Sequence, residues 1–222
     1  DGTDFAAEAD QVKEPIAVDG DLSDWEEATC TIPLLCENQV KPGANYKWTP
    51  QNLSGVAYFA WDKDSLYFAA RVKDNSHVVR KDGDANKGDA ITLALHPGNR
   101  VPGTDGRAVE WYLSTAHPGS GSGKYTLYRP GAHSGGLKSG QLAKDSSNYE
   151  IAIRQDGDVC TYELRIPWSE IPGFSPELGA RLGLSLRLTD LDEDGSFGEI
   201  NWGMGLSPAW APSAFGVLTL IQ

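Results

Sequence analysis

Closely spaced carboxylates near the C-terminus come nearest to a metal-binding pattern in this sequence. Asp190, Asp192 and Asp194 alternate along the chain and are followed by Gly195. This is how a calcium loop begins, because alternate carboxylates point inward and the glycine permits a sharp turn. Glu199 arrives earlier than the closing acid of an EF-hand would, and no helical pattern flanks the loop. The segment therefore predicts either a structural calcium site or a solvated hairpin turn.

Catalytic patterns are weak in this sequence. The chain has no nucleophile-elbow motif, and no histidine pair has the HExxH spacing or another metal-binding spacing. The histidines are His77, His96, His117 and His133. Glu150 and Glu163 fall on paired strands of one predicted hairpin, which favours cross-strand surface positions over a pair of acids in a cleft. The sequence therefore predicts a protein without catalytic activity.

Charge and composition narrow the range of partners. The formal net charge is −12, from 31 acidic and 19 basic residues. Nucleic acid and anionic membranes require clustered Lys and Arg, so neither is expected as a partner. No stretch approaches the roughly 18 apolar residues of a membrane span, so no membrane insertion is expected. The negative charge is compatible with a neutral ligand and with calcium. The length predicts a single domain over residues 1–222.

Cysteine usage leaves two alternatives open. Cys30, Cys36 and Cys160 can form at most one disulfide, and a Cys30–Cys36 bridge is as well supported as three buried, reduced thiols. Seven tryptophans against one methionine, with 25 glycines, are typical of an extracellular β protein. The chain begins at Asp1 without a charged and apolar leader, so we expect any signal peptide to lie outside this sequence.

The elements that position these residues are predicted to be strands. Two alternating apolar runs flank Asp156-Gly157 in Tyr149–Trp168, which is a strong hairpin signal, and a polar turn at Asp62–Asp64 indicates a second hairpin. Twelve strands are predicted: Pro15–Val18, Thr31–Leu35, Ser54–Trp61, Ser65–Lys73, Asp89–His96, Ala108–Thr115, Gly123–Tyr128, Tyr149–Arg154, Val159–Pro167, Ala180–Thr189, Glu199–Gly203 and Phe215–Leu220. The expected fold class is all-β, an antiparallel β-sandwich of two sheets, jelly-roll or immunoglobulin-like.

The strand Ala108–Thr115 separates by parity into two faces. Val109, Trp111 and Leu113 form its apolar set and are predicted to enter the core. Glu110 and Tyr112 then face the other way. Both side chains can bond hydroxyl groups, so this second face is predicted to be either a ligand surface or a solvated sheet face.

Six motifs, read in order, resemble the family 9 carbohydrate-binding modules and their DOMON-like relatives. They cover nearly the whole chain: Ile16–Trp25, Phe59–Asp74, Gly88–Leu93, Tyr162–Trp168, Asn201–Gly203 and Ala214–Leu220. The resemblance implies a β-sandwich that holds a sugar beside a glycoside hydrolase. In the well-described members two tryptophans clamp a terminal sugar ring. Trp210 matches the second of these positions, whereas Asn86 and Lys87 stand where the first is expected.

The resemblance also implies roles for other residues. Glu110 and Tyr112 stand where the family places sugar-bonding Gln and Arg side chains, and Asp74 and Asp89 are further candidate ligands for structural calcium. Trp48, in a turn-rich segment, is predicted either to replace the missing platform or to plug a gap beneath its own loop. The motif residues Trp25, Trp61, Trp168 and Trp202 are expected to pack in the interior.

Two alternatives to sugar binding stay open at this point. Some DOMON-like relatives bind haem between a methionine and a histidine, and Met204 is the one methionine here. A structural or adhesion spacer without a small ligand is the other alternative. We favour a secreted, non-catalytic module that attaches a larger glycan-active enzyme to a polysaccharide or oligosaccharide.

Overall fold

The computed structural model describes residues 5–26, 28–78, 88–98, 101, 107–115, 125–128, 148–207 and 209–222. Thirteen strands lie within these ranges: β1 (Ala6–Gln11), β2 (Thr31–Leu34), β3 (Val40–Pro42), β4 (Leu53–Trp61), β5 (Ser65–Asp74), β6 (Ala90–His96), β7 (Val109–Thr115), β8 (Tyr125–Tyr128), β9 (Glu150–Asp156), β10 (Val159–Pro167), β11 (Arg181–Leu191), β12 (Phe197–Trp202) and β13 (Gly216–Ile221). Helical structure in these ranges consists of short 3₁₀ turns, and no helix there is long and apolar enough to cross a membrane.

The strands form two layers that are joined along one hydrogen-bonded path. The first layer has the order β8-β7-β6-β11-β13. In addition, β12 pairs with the C-terminal half of β11, and β3 pairs with the other edge of β12. The second layer has the order β4-β5-β10-β9, and β2 pairs with β4. The first strand, β1, pairs in parallel with both β13 and β4 and so connects the layers. The predicted two-layer, all-β sandwich is confirmed, with this parallel strand as an addition.

The core lies between the two layers because each strand turns alternate residues inward. Along β11 the inward residues are Leu182, Leu184, Leu186 and Leu188, each at most 1% exposed. They face a second set of fully buried side chains that includes Phe59 and Phe68, whose ring centroids lie 5.2 Å apart. Trp61, Trp111, Trp168 and Trp202 belong to the same core cluster, which confirms their predicted packing role.

A smaller apolar cluster covers the outer face of β4 and β5. Trp25 and Ile16 pack there against Ala60, Tyr67 and Ala69. These strands are therefore buried on both faces, which explains why Ser65–Asp74 has almost no exposed residue.

Eleven of the twelve predicted strands are confirmed to within two residues at each end. Pro15–Val18 is wrong as a strand, because Ile16 packs into the smaller cluster without joining a ladder. The sequence missed β1 and β3. Of the two alternatives for the cysteines, the reduced state is the one found, since all three are free, although only Cys160 is buried.

Candidate functional site

Four polar side chains form a continuous row across the outer face of the first layer. Thr92 of β6 lies opposite Tyr112 of β7 on one side and Arg187 of β11 on the other. Arg187 in turn lies opposite Asn201 of β12. Side chains at paired positions stand on the same face of a sheet, about 5 Å apart. We call Tyr112, Thr92, Arg187 and Asn201 the polar row.

Strand parity explains why the row faces away from the core. In β11 the residues from Leu182 to Thr189 alternate, so the four leucines of this stretch enter the core and Ser185, Arg187 and Thr189 point outward. The same parity turns Glu110 and Tyr112 outward while Trp111 is 0% exposed, as predicted. Although the row is polar, Thr92, Tyr112 and Asn201 are all buried. Buried polar groups of this kind require hydrogen-bond partners.

The Arg187 guanidinium is at the centre of the row. Its Nη1 lies 3.6 Å from Glu199 Oε2, and its Nη2 donates to the Thr92 hydroxyl over 3.3 Å. The other carboxylate oxygen of Glu199 accepts a 3.3 Å hydrogen bond from Asn201 Nδ2. Arg187 Nε is buried and has no acceptor in the described part of the chain. This nitrogen is a donor that an oxygen of a bound ligand would satisfy.

Tyr112 and Glu110 extend the polar row electrostatically. Burial raises the pKa of the Tyr112 phenol, and the nearby Glu110 carboxylate raises it further by its charge and its hydrogen bond. Arg187 acts in the opposite direction on the pKa of the same phenol. The phenol therefore stays protonated at neutral pH. The phenol donates to Glu110, so Tyr112 can offer only its oxygen, as an acceptor, to a further group.

The loop that carries Trp210 packs beside the polar row. Ser185 Oγ donates to the Trp202 carbonyl over 3.2 Å, which fixes the start of this loop on the outer face of β11. Gly203, at φ +83°, lies close to Ser185, because an added Cβ would come within 3.3 Å of the Ser185 Cα. Trp210 is half-buried and meets Phe215 edge to face, with ring centroids 5.6 Å apart. A partly exposed indole thus stands on the loop that starts beside Ser185.

An open groove continues from Asn201 along the edge of the sheet. Its volume is about 440 Å³, and its lining includes Phe5, Lys41, Trp202 and Met204. Met204 is 54% exposed there, which is not the enclosed apolar slot that axial haem ligation requires. The groove is within the size range of small-ligand sites.

Two acidic residues and a histidine meet at one end of the sandwich, between the layers, and Asp190 lies near enough for the Asp74 charge to act on it. Asp74 ends β5, Asp89 immediately precedes β6, and Asp190 is the next-to-last residue of β11. His77 Nδ1 lies 3.3 Å from Asp74 Oδ2 and 3.3 Å from Asp89 Oδ2. A cavity of about 10 Å³ adjoins Asp74, His77 and Asp89, which is about the room that one small ion or water occupies. We call Asp74, His77, Asp89 and Asp190 the acidic cluster.

Burial dominates the electrostatics of the acidic cluster. It raises the pKa of Asp89, with a further contribution from the Asp74 carboxylate. It raises the pKa of Asp190 to about 7, although Tyr46 donates a hydrogen bond to Asp190 Oδ2. Asn52 Nδ2 also bonds Oδ2, at 3.0 Å, whereas the buried Oδ1 has no partner in the described part of the chain. A cation would satisfy this oxygen and offset the repulsion among the carboxylates.

Asp192 and Asp194 lie apart from this arrangement, in the turn between β11 and β12. Asp192 Oδ2 accepts from the Ser196 hydroxyl at 3.0 Å, and Asp194 Oδ1 accepts from the Ser196 amide at 2.8 Å. Asp194 is exposed. Their bonds are those of a hairpin turn, the second of the two predicted alternatives for this segment. Asp190, the first aspartate of the segment, is instead buried and bonds Tyr46 and Asn52.

The remaining predicted site residues are placed as follows. Trp48 is half-buried against the core, and its Nε1 donates to the Leu53 carbonyl over 2.7 Å, as in the packing alternative. Asn86 lies outside the described residues. Sequence reasoning missed Thr92, Arg187, Glu199 and Asn201 as site residues. The sequence signal for this face is the alternation of polar residues in β11 together with that in β7.

Comparison with known proteins gives one family and two similar structures. Residues 19–222 match the family described as "Carbohydrate family 9 binding domain-like". The fold resembles a family 9 carbohydrate binding module from Caldicellulosiruptor kristjanssonii in complex with cellotriose, with 15% identity, 97% of this chain and 93% of that chain covered, and a TM-score of 0.66. A module of the same description and organism in complex with glucose gives 14% identity, 96% and 95% coverage, and a TM-score of 0.64. No curated protein sequence matches significantly.

Proposed function

We propose that this chain, which belongs to the carbohydrate family 9 binding domain-like family, binds a neutral glycan on the polar row. This membership confirms the resemblance predicted from the six motifs. The observation that carries the proposal is Arg187, whose buried Nε lacks an acceptor in the described part of the chain. Sugar hydroxyls provide the acceptor oxygen that this donor needs.

The charges of the site favour a neutral sugar over an anionic one. Arg187 is already paired with Glu199, and Glu110 adds a second buried carboxylate close to Tyr112. An incoming anion would meet two carboxylates around one cation. A neutral pyranose instead offers hydroxyls that both donate and accept, which match the carboxylates on one side and the Arg187 and Asn201 donors on the other.

Trp210 and the groove supply the apolar part of the site. An indole offers a flat apolar surface to the C–H face of a pyranose, and polar neighbours then fix the orientation of the sugar. Phe215, against which Trp210 packs, lies beside Gly183 of β11. Residues 183 to 187 of β11 span roughly 13 Å, so Trp210 and Arg187 can contact different parts of one extended ligand. The groove beside Asn201 provides further length. The proposed ligand is therefore an oligosaccharide.

Structural calcium is proposed for the acidic cluster. Asp74, His77 and Asp89 bring ligand atoms within 4.8 Å of one another, and two of the three are carboxylates, the ligands that calcium prefers. The unpartnered Oδ1 of Asp190 is the further carboxylate oxygen that the proposal adds. Asp74 belongs to the second layer, while Asp89 and Asp190 adjoin β6 and β11 of the first. A cation held there would tie the layers together at the ends of strands that carry the polar row.

The cellular setting of the module is a separate proposal. We propose that it is extracellular and attached to a glycan-active enzyme, since family 9 binding modules are normally non-catalytic and the composition is rich in tryptophan and glycine. A genomic or proteomic determination of the full polypeptide tests the attachment. An intact protein without a catalytic domain would contradict it.

A glycan array tests the binding proposal. The wild type is expected to bind one or more neutral oligosaccharides, and the affinity of each hit is then measured by calorimetric titration with wild type and Arg187→Met. A loss of about tenfold or more is expected, because one hydrogen bond to a charged donor is removed. The absence of any neutral glycan among the hits would contradict the proposal.

A further inference from the structure

A second cleft lies on the opposite sheet, on the outer face of β5, β10 and β9. Its volume is about 390 Å³. Arg71, Arg154 and Thr161 line it, together with Gly20, Asp21 and Asp156. None of these residues belongs to the polar row or to the acidic cluster. All of its lining lies within the described part of the chain.

The cleft contains two arginines in one cross-strand row. Thr161 of β10 lies opposite Arg71 of β5 on one side and opposite Arg154 of β9 on the other. Adjacent strands are about 4.8 Å apart, so the two arginine Cα atoms are roughly 10 Å apart with the Thr161 hydroxyl between them. Arginine side chains are long enough to reach a common group over that span. Both arginines are exposed, and no hydrogen bond or ion pair within the described residues engages either guanidinium.

A tethered turn forms one wall of the cleft. The amides of Asp19 and Gly20 donate to Glu163 Oε2 over 3.0 and 2.5 Å, and Trp25 Nε1 donates to Glu163 Oε1 over 2.8 Å. Glu163 is 0% exposed and lies on the same face of β10 as Thr161. Gly20, at φ +88°, packs so closely that an added Cβ would lie 3.0 Å from the Arg154 Cβ. The wall therefore has a fixed position relative to Arg154.

The groups in the cleft point to one class of ligand. Two guanidiniums form bidentate hydrogen bonds with a carboxylate, and Asp156 and Thr161 accept hydrogen bonds from hydroxyls. The Asp21 carboxylate also lines the cleft and is engaged by the Ser23 amide at 3.1 Å. A ligand that carries both an anion and several hydroxyls uses all of these groups. We propose that the cleft binds a sugar acid, a pyranose with a carboxylate such as a hexuronate, at a site separate from the polar row.

Titration with a trimer of galacturonate tests the proposal, with cellotriose as the neutral probe of equal length. The wild type is expected to bind the acidic trimer, and binding weakens as salt rises from about 50 to 500 mM because the contacts are exposed charges. Arg71→Gln and Arg154→Gln are each expected to weaken it about tenfold or more. Arg181→Gln is the matched control, since Arg181 is an exposed arginine at the start of β11, outside the cleft.

The outcomes separate this site from the polar row. The proposal holds if the acidic trimer binds in the presence of saturating cellotriose and if this binding is lost in the Arg71→Gln/Arg154→Gln double variant. The affinity of the double variant for any neutral glycan should equal that of the wild type. The proposal is overturned if the wild type does not bind the acidic trimer at millimolar concentration, if the double variant binds it as well as the wild type does, or if cellotriose displaces it. Failure of neutral-glycan binding would leave this result unaffected, because the two sites share no residue.

Discussion

Arg187 Nη1 lies 3.6 Å from Glu199 Oε2 across the pairing of β11 and β12, and the two side chains are only 14% and 11% exposed. Such a shielded pair holds the guanidinium in one orientation. With Nη1 next to Glu199 and Nη2 bonded to Thr92, the remaining donor Nε is left without an acceptor in the described part of the chain. The pair therefore orients a donor for ligand.

A double-mutant cycle on this pair is the first prediction. Arg187→Met leaves the Glu199 charge unpaired, which is expected to cost about 3–5 kcal/mol of the free energy of unfolding. Adding Glu199→Gln removes that charge and recovers most of the stability, measured by urea unfolding. Neutral-glycan affinity stays low in the double variant because the Nε donor is still absent. Recovery of affinity together with stability would show that Arg187 supports the site without touching ligand.

Trp210 and Trp48 are predicted to respond in opposite ways to truncation. Trp210→Ala abolishes glycan binding in a titration and changes the melting temperature little, because the indole is half-buried on a loop. Trp48→Ala removes a side chain that packs against the core and bonds the Leu53 carbonyl, so it lowers the free energy of unfolding by about 3 kcal/mol. Glycan affinity of Trp48→Ala, measured below its melting temperature, stays within about twofold of wild type. Unchanged glycan affinity in Trp210→Ala would contradict the assignment of Trp210 as the aromatic surface on which the sugar stacks.

Local sequence patterns predicted most of the fold but only part of the candidate site. The alternation of apolar residues and the Asp156-Gly157 turn were sufficient to predict the β9–β10 hairpin. Strand parity was sufficient to predict that Trp111 enters the core and that Tyr112 lies on the opposite face. By contrast, Ala6–Gln11 has no β-branched or aromatic residue, and β1 forms through its long-range pairing with β13 and β4.

The site residues that were missed come together only through cross-strand register. Thr92, Arg187 and Asn201 are separated by 95 and 14 positions in the sequence, and no local motif links them. His77 was missed for the same reason, since its partners Asp74 and Asp89 meet through the ends of two strands that lie in different layers.

Calcium removal is predicted to destabilise the protein. If calcium is present at about 100 times its dissociation constant, it adds about 2.7 kcal/mol, so a chelator lowers the melting temperature by roughly 5–10 °C. Asp190→Asn removes a carboxylate ligand and abolishes this response, whereas the turn variant Asp192→Asn keeps it. Equal melting temperatures with and without chelator would contradict the calcium proposal. Recovery of the melting temperature with zinc but not with calcium would also contradict the calcium proposal. It would favour a metal-ligand set that contains His77.

Glu163 is predicted to link stability to pH. Burial raises its pKa above the ordinary value of 4.5, although Trp25, Gly20 and Asp19 donate hydrogen bonds to the carboxylate. The folded protein therefore holds this proton more tightly than the unfolded chain does. This contribution to stability is fully present below about pH 4.5 and is lost as pH rises through the raised folded pKa.

Glu163→Gln is the variant that checks this linkage. Above pH 4.5 we expect the free energy of unfolding of this variant to fall less steeply with rising pH than that of the wild type. Urea unfolding at a series of pH values measures this slope. At neutral pH it costs about 1–3 kcal/mol, because a buried acceptor is replaced by an amide donor. Glu150→Gln, an exposed acid on the partner strand, is the control and changes stability by less than about 0.5 kcal/mol. A slope that is identical in wild type and Glu163→Gln would contradict the assignment.

The central claim is that a neutral glycan binds on the polar row of the first layer. Amide chemical-shift mapping, with the tightest-binding neutral glycan from the array, tests it most directly. We expect the largest shifts at Thr92, Arg187 and Asn201, with no change at Arg71, Thr161 and Arg154 of the opposite sheet. Saturable binding whose shifts fall on the opposite sheet, or no shift with any neutral glycan, would contradict the claim.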